Sequence, residues 1–502
     1  MVLQRFLRNI LSNYALIAVT GLAGIVLTPL LFHHLKPAGF AILAFALTVC
    51  AVLETLDLGT FNSLVRFVSD LAARAEFQKL NCLVSTVFYL MLGVGLLETV
   101  VLAVLSPFIE RYFQLHATIS EPGWLVLTIV GSSAAFQLPA TALRGHLEGC
   151  QDFHLANAVE ISSQMLRALA ILLLLHAGFG LVAISAVFPL TALVRLAGLV
   201  AAARWATIPL TPRLSHANLV SLRQIRSFAS LSFVEDTATR WYGQADVLLA
   251  AKLLPLPELA ILSIARRIPW AVIQFARQPT WVAYPMVSAA SARNDHSALR
   301  KFLVVSTRNL LAVVLPLASA IFIWGEEILR LWVGMEAIPG ATVFRILLLF
   351  AVFASLQEAP LTLLYGLGQI NLSAGLSIGM LTAAIGIGAW ACSRNGLSGL
   401  AAAFAAIQIL GTSLLCWKAL KVAGLPVRVW LSRAVVPAVV ATLPAAAWFL
   451  ISYQLLPRNI IGLVISTLVG MSLFFGLFVG LVTGWTSQAW RSRFKRLLLE
   501  IE

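Results

Sequence analysis

Charge is scarce in this chain. Asp, Glu, Lys and Arg together make up 11% of its 502 residues, less than half of the roughly 25% usual in soluble domains. Apolar types reach 60% and the mean hydropathy is +0.92. A soluble globule so composed would lack the polar surface to cover its core, which leaves an integral membrane protein. Acidic residues are the scarcer sign, 21 against 35 Lys and Arg, for a formal net charge of +14. Basic loops that orient membrane helices account for that excess, so no nucleic-acid partner is expected. Cysteine is sparse too. Cys50, Cys82, Cys150, Cys392 and Cys416 are scattered with no CxxC pair, so neither a disulfide framework, a metal site nor a cofactor is expected. No segment between apolar runs exceeds about 25 residues, too little for a separate catalytic domain, and an enzyme is not expected. A Walker A loop is also missing, so direct drive by ATP is not expected.

What is present is a succession of apolar windows of about 20 residues. They fall near 11–33, 40–60, 83–105, 123–143, 155–176, 180–203, 228–254, 259–285, 303–323, 341–365, 372–392, 399–417, 434–454 and 459–483. Their length and lack of alternation predict about 14 membrane helices rather than a barrel. The basic start at Gln4–Arg8 runs into an apolar stretch reaching about His33, long enough to span and to be retained. With the N-terminus inside, cytoplasmic segments hold 21 Lys and Arg and the opposite side holds 6. That asymmetry predicts both termini in the cytoplasm.

Short stretches recur at a nearly constant offset. Gly39–Phe45 is echoed by Glu258–Ile264 and Ile109–Phe113 by Ile328–Trp332, both at 219 positions. Val84–Thr86 meets Val305–Thr307, and Thr141–Gly145 meets Thr362–Gly366, both at 221. The repeat predicts two six-helix lobes of one orientation, related by a pseudo-two-fold axis along the membrane normal. The expected division is an N-terminal lobe at 1–203, an inter-lobe linker at 204–227, a second lobe at 228–421, two further helices within 434–483 and a basic tail at 484–502. Trp485 and Trp490–Arg496 in that tail suit an interfacial anchor.

Fourteen spans, two lobes and a basic loop after the second span reading Asp57-Leu58-Gly59-x-x-Asn62-x-x-Val65-Arg66 resemble the oligosaccharide-lipid flippases. These belong to the multidrug/oligosaccharidyl-lipid/polysaccharide (MOP, MATE-like) exporter superfamily. The resemblance covers essentially the whole chain through diffuse motifs. It implies a multi-pass protein of the bacterial inner membrane that moves an undecaprenyl-pyrophosphate-linked glycan from cytoplasm to periplasm by alternating access. It also implies polysaccharide polymerase or assembly proteins as partners, and coupling to H⁺ or Na⁺.

Ionisable residues inside the membrane are expensive and therefore point to function. They are densest in the seventh and eighth spans. The seventh carries Glu235, Asp236, Arg240 and Asp246, and the eighth carries Arg266, Arg267, Gln274 and Arg277. The turn at Pro255–Glu258 makes these an antiparallel hairpin, which sets Glu235 and Asp236 level with Arg277 and Asp246 level with Arg267. Structural ion pairing would explain why such charges are tolerated. A cavity lining would explain why there are so many. Arg266, Arg267, Arg277 and Gln274, with Arg167 of the fifth span, are the expected contacts of an anionic head group, since the guanidinium fork suits pyrophosphate. Glu235, Asp236, Arg240 and Asp246 are the expected coupling or gating residues.

Other intramembrane charges are sparser: Glu160, seven residues before Arg167 on one face, Arg195, Arg345 and Glu358. Asn13 and Asn62 suit bridges between helices. Prolines within the spans (Pro29, Pro139, Pro189, Pro269, Pro279, Pro285, Pro316, Pro360, Pro437 and Pro444) permit kinks of the kind that alternating access uses, though proline is common in membrane helices anyway. The last two spans carry almost no charge and suit a lipid-facing addition or a polyprenyl groove. Two alternatives fit less well. A cation-coupled drug or metabolite antiporter of the same superfamily needs only 12 spans and an acidic pocket. A glycan polymerase or ligase needs a catalytic external loop.

Overall fold

The computed structural model describes residues 2–57, 59–115 and 121–483. Trp485, the Trp490–Arg496 stretch and the Asn62 side chain lie outside what is described. Every regular element among the described residues is helical, because hydrocarbon offers no water to satisfy backbone groups. In chain order these are α1 (Val2–Leu53), α2 (Thr60–Ala73), α3 (Phe77–Phe113), α4 (Gly123–Gly131), α5 (Ala134–Gly149), α6 (Phe153–His176), α7 (Leu181–Arg204), α8 (Leu219–Leu253) and α9 (Leu256–Ala265). They continue with α10 (Arg267–Ala292), α11 (His296–Ile323), α12 (Gly325–Trp332), α13 (Ala341–Leu356), α14 (Glu358–Gly366), α15 (Ile370–Ala423), α16 (Val427–Trp430), α17 (Val436–Leu455) and α18 (Ile460–Thr483).

Eleven stretches among the described residues are long and apolar enough to cross a membrane. Two of them contain a break. In α1, Lys36 has φ 61° and ψ 166°, because a residue before proline is pushed out of the helical region. Pro37 then opens the next helical segment. In α15, Gly396 takes φ 59° and ψ −144°, a conformation that side chains resist. The charged α8 is not among the eleven.

Three predicted spans are kinked rather than straight, each just upstream of a proline. α4 and α5 meet at Ser132–Ser133, α9 and α10 at Arg266–Arg267, and α13 and α14 at Gln357. Pro139, Pro269 and Pro360 follow these points by two to seven residues. A proline removes the hydrogen bond to the carbonyl four residues back and its ring crowds that carbonyl, here Ala135, Ala265 and Leu356. The kinks matter because side chains at or beside two of them enter the site described below.

The chain divides into two units, Met1–Arg267 with Ile370–Leu400, and Ile268–Gln369 with Ala401–Glu502. In the first, α2, α3, α5 and α7 share a core that buries Leu64, Val68, Leu83, Val87, Leu138, Leu147 and Leu199. Glycine permits the closest approaches. A Cβ on Gly95 of α3 would lie 2.5 Å from the Ala134 carbonyl oxygen and 2.9 Å from the Ala135 Cα of α5. Gly95→Ala is expected to destabilise the protein by about 1–3 kcal/mol, because its nearest neighbour is backbone. Thermal unfolding in detergent measures this, and an unchanged midpoint would refute it. The segment after α7 is tied to the same unit: the Thr207 N–H and hydroxyl both donate to Asp152, and the Asn218 N–H donates to Thr86 Oγ1.

In the second unit α11 packs against α13, α14, α17 and α18. Asp295 caps its start by accepting from the N–H groups of Ser297 and Ala298. Buried Glu327 pairs with Arg330 at 2.6 Å and with Arg458 at 3.8 Å. That ties α12 to the turn between α17 and α18.

Candidate functional site

A cavity of about 580 Å³ opens within the first unit. Its walls combine apolar side chains, including Leu47, Val130 and Phe188, with eight charged ones drawn from five segments. Glu54 and Asp57 stand on a single 3₁₀ turn that follows α1. Arg144 and Glu148 are one turn apart on α5. Glu160, Gln164 and Arg167 fall four and three residues apart on α6, one face of a helix. Arg195 comes from α7 and Arg240 from α8. The α4–α5 kink brings Ser133 and Gln137 to the same wall.

Glu160 is the hub. Arg195 Nε donates to both its oxygens at 2.8 and 2.9 Å and Nη2 donates at 2.6 Å. This near-bidentate geometry makes strong charge-assisted bonds. Arg144 Nη1 adds a further contact at 3.3 Å while its Nε donates to Glu148 at 2.7 Å. Arg167 differs: its Nε donates to the Thr191 hydroxyl at 3.1 Å, and its guanidinium lies 5.3 Å from the Phe188 ring centroid. A cation over a ring face gains roughly 0.5–2 kcal/mol, less than a carboxylate would give. Arg240 is loosely held, 4.0 Å from Glu54 and 3.9 Å from Asp57. Asp57 in turn accepts from the Gly59 N–H at 3.0 Å, across a turn where Gly59 has φ 67°.

The charges expected to form one seam are distributed. Asp246 is buried and accepts from Arg266 Nη1 at 3.0 Å, and Arg266 Nη2 also donates to the Gly243 carbonyl at 2.6 Å. The hairpin therefore closes on Arg266, one residue from the expected Arg267. Arg267 lies near the middle of the Leu256–Thr280 span, is exposed in the fold, and would be 3.5 Å from a Cβ on Gly24 of α1. Among the described residues no carboxylate pairs with it. Buried Glu235 accepts from the Thr239 hydroxyl at 3.2 Å, and Asp236 is half-buried one position on. Arg277 and the half-buried Gln274 belong to the second unit, where Arg277 Nε donates to buried Glu358 at 3.1 Å.

Glu54, Arg144 and Glu148 were not among the sequence-derived candidates. Arg144 and Glu148 count as loop residues by hydropathy, and Glu54 lies inside the predicted second span, where it was passed over. The available signals were the Arg144/Glu148 spacing and the Glu160–Gln164–Arg167 stripe on an otherwise apolar helix.

The family model for polysaccharide biosynthesis protein matches residues 6–291. No curated protein matches the sequence. Several solved structures share the fold. The lipid II flippase MurJ, in an inward closed conformation, aligns with a TM-score of 0.73 at 12% identity over 93% of this chain and 97% of that one. An inward-facing multidrug resistance MATE transporter of the MOP superfamily aligns at 0.68 and 14%, covering 82% and 94%. The MATE multidrug transporter DinF-BH, solved as a complex, aligns at 0.64 and 15%, covering 84% and 95%. At these identities the likeness establishes the fold alone. With its family model matched over more than half its length, the chain belongs to the polysaccharide biosynthesis protein family.

Proposed function

We propose that this protein is a flippase that carries a polyprenyl-pyrophosphate-linked oligosaccharide from the cytoplasmic to the periplasmic leaflet of the bacterial inner membrane. The observation that carries the reading is Arg267: an arginine exposed at mid-span with no carboxylate partner among the described residues. Such a cation is expensive in a bilayer unless it serves an anion, and its planar fork suits a pyrophosphate. Family membership supports a role in polysaccharide assembly, with polymerase or assembly proteins as partners.

The reading takes the chain as 14 crossings with both termini in the cytoplasm. The 11 apolar stretches, two of them double, and α8 add up to that number. Alternating access would exploit the proline kinks. Arg240, held only at 3.9–4.0 Å, is assigned to gating. Glu235 and Asp236 are assigned to coupling by H⁺ or Na⁺. Asp246 and Arg266, paired with each other, hold the hairpin together.

The test is reconstitution into liposomes with a fluorescent polyprenyl-pyrophosphate saccharide and an impermeant external quencher. Added protein should raise the rate at which inner-leaflet probe becomes quenchable. Folded protein that leaves the probe where it is, yet moves a fluorescent organic cation such as ethidium, would favour the antiporter reading that the MATE folds raise.

A further inference from the structure

The four arginines and four carboxylates that line the first unit's cavity cancel. Two of the arginines are committed: Arg195 to Glu160, and Arg144 to Glu160 and Glu148. Arg240 lies between Glu54 and Asp57. What remains is nearly balanced as well. Arg167 has a hydroxyl and a ring as its partners. Glu54, 45% exposed, reaches only one arginine and that at 4.0 Å. Uncharged polar groups fill the gaps. Ser133, Gln137, Thr141 and Gln164 all face the space, and among the described residues the Gln164 amide makes no hydrogen bond. An amide offers two donors and an acceptor, a match for the vicinal hydroxyls of a sugar. The volume, about 580 Å³, lies within the range of small-molecule sites and has room for a short saccharide.

We propose that this cavity is a glycan subsite selective for an uncharged, hydroxyl-rich saccharide over one bearing carboxylate or phosphate. The proposal rests on the flippase reading and adds the charge class of the cargo. A neutral sugar needs only the hydrogen bonds that Gln164 and its neighbours supply. An acidic sugar would give up its water for a wall whose arginines, Arg167 apart, already have carboxylates beside them, and a charge that is desolvated without a partner is costly. Arg167 alone stands ready to compensate. The lipid pyrophosphate, by contrast, goes to Arg267, outside the residues that line this cavity.

The experiment measures binding to the full-length protein in nanodiscs. Three probes are used: a short polyprenyl pyrophosphate carrying a neutral disaccharide, the same lipid with glucuronate as the terminal sugar, and the glycan-free lipid. The neutral probe should bind at least about tenfold more tightly than the glucuronate probe, the size of a modest penalty for a charge desolvated without a partner. Glu54→Gln removes one negative charge from a half-exposed position and leaves the tight ion pairs in place. It should narrow that ratio. Equal or reversed affinities of the two glycan probes for the wild type overturn the charge selectivity. Glycan-free lipid binding as tightly as the neutral probe overturns the subsite. Either result leaves the flippase reading standing. If none of the three lipids binds, the flippase reading falls and this inference with it.

Discussion

Glu160→Ala is expected to destabilise the protein by about 3–5 kcal/mol, the largest loss for any single side chain around the cavity. Glu160 is buried, and its two oxygens hold Arg195 through three contacts and Arg144 through a fourth. Removing it leaves two guanidinium groups without the carboxylate they share. Arg144 keeps Glu148, but Arg195 keeps no carboxylate within 4 Å among the described residues. Because the cavity admits water, which solvates the stranded charges, the lower end of the range is the better expectation. The measurement is thermal unfolding in detergent, with protein yield as a second readout. The double variant Glu160→Gln with Arg195→Met discriminates between causes. If the loss reflects an uncompensated buried charge, removing that charge as well restores much of the stability, because an uncharged pair of similar volume replaces the ion pair. If the double variant is no better than Glu160→Gln alone, packing rather than charge explains the loss.

Much of the fold follows from local chemistry that a single sequence carries. Lys36-Pro37 is the local signal for the break in α1, since the residue before proline is biased away from the helical region. Proline is a weaker guide to kinks: Pro139, Pro269 and Pro360 lie within about two turns of one, while Pro189, Pro316 and Pro444 lie inside unbroken helices. The short turn at Pro255 sets the register that joins Asp246 to Arg266, one residue from the expected pairing. The cavity was harder to see. Charge density per span directs attention to the predicted seventh and eighth spans, which carry at least three charges each. The cavity draws its eight from five segments, no more than two per segment, so the Arg144/Glu148 pair and the Glu160–Arg167 stripe are faint marks on their own. Arg144 and Glu148 sit where hydropathy places a loop, and Glu54 and Asp57 lie on a 3₁₀ turn just past the end of α1. Only tertiary packing, such as the Gly95 contact that seats α5 against α3, brings these positions together. The same packing separates residues that the sequence grouped. Of the hairpin charges, Arg240 joins the cavity, Arg266 is consumed by Asp246, and Arg277 is engaged by Glu358.

Arg267→Ala should abolish transport while leaving the fold intact, and that combination is what separates it from its neighbour. Arg266 and Arg267 are adjacent in sequence, yet they differ in what their removal would leave behind. Without Arg266, buried Asp246 loses its guanidinium partner and the Gly243 carbonyl loses a donor. Arg266→Ala should therefore act through stability. Arg267 has no such partner among the described residues and is exposed at mid-span against Gly24. Its loss strands nothing in the protein and relieves the expense of a charge in the membrane. What it removes is a charge-assisted contact to the substrate, worth about 2–5 kcal/mol when one partner of a desolvated charge pair is truncated. That corresponds to a fall of roughly 30-fold to several thousand-fold in affinity. Arg267→Lys keeps the charge but not the fork, so partial activity is expected if the contact is bidentate. The decisive data are flipping rates in liposomes at matched amounts of folded protein, beside unfolding midpoints for all three variants. Wild-type rates for Arg267→Ala would remove the phosphate assignment. A midpoint lowered as far as that of Arg266→Ala would turn Arg267 into a structural residue. A normal midpoint with transport lost, and partly regained by lysine, is the pattern required of a side chain that holds the head group.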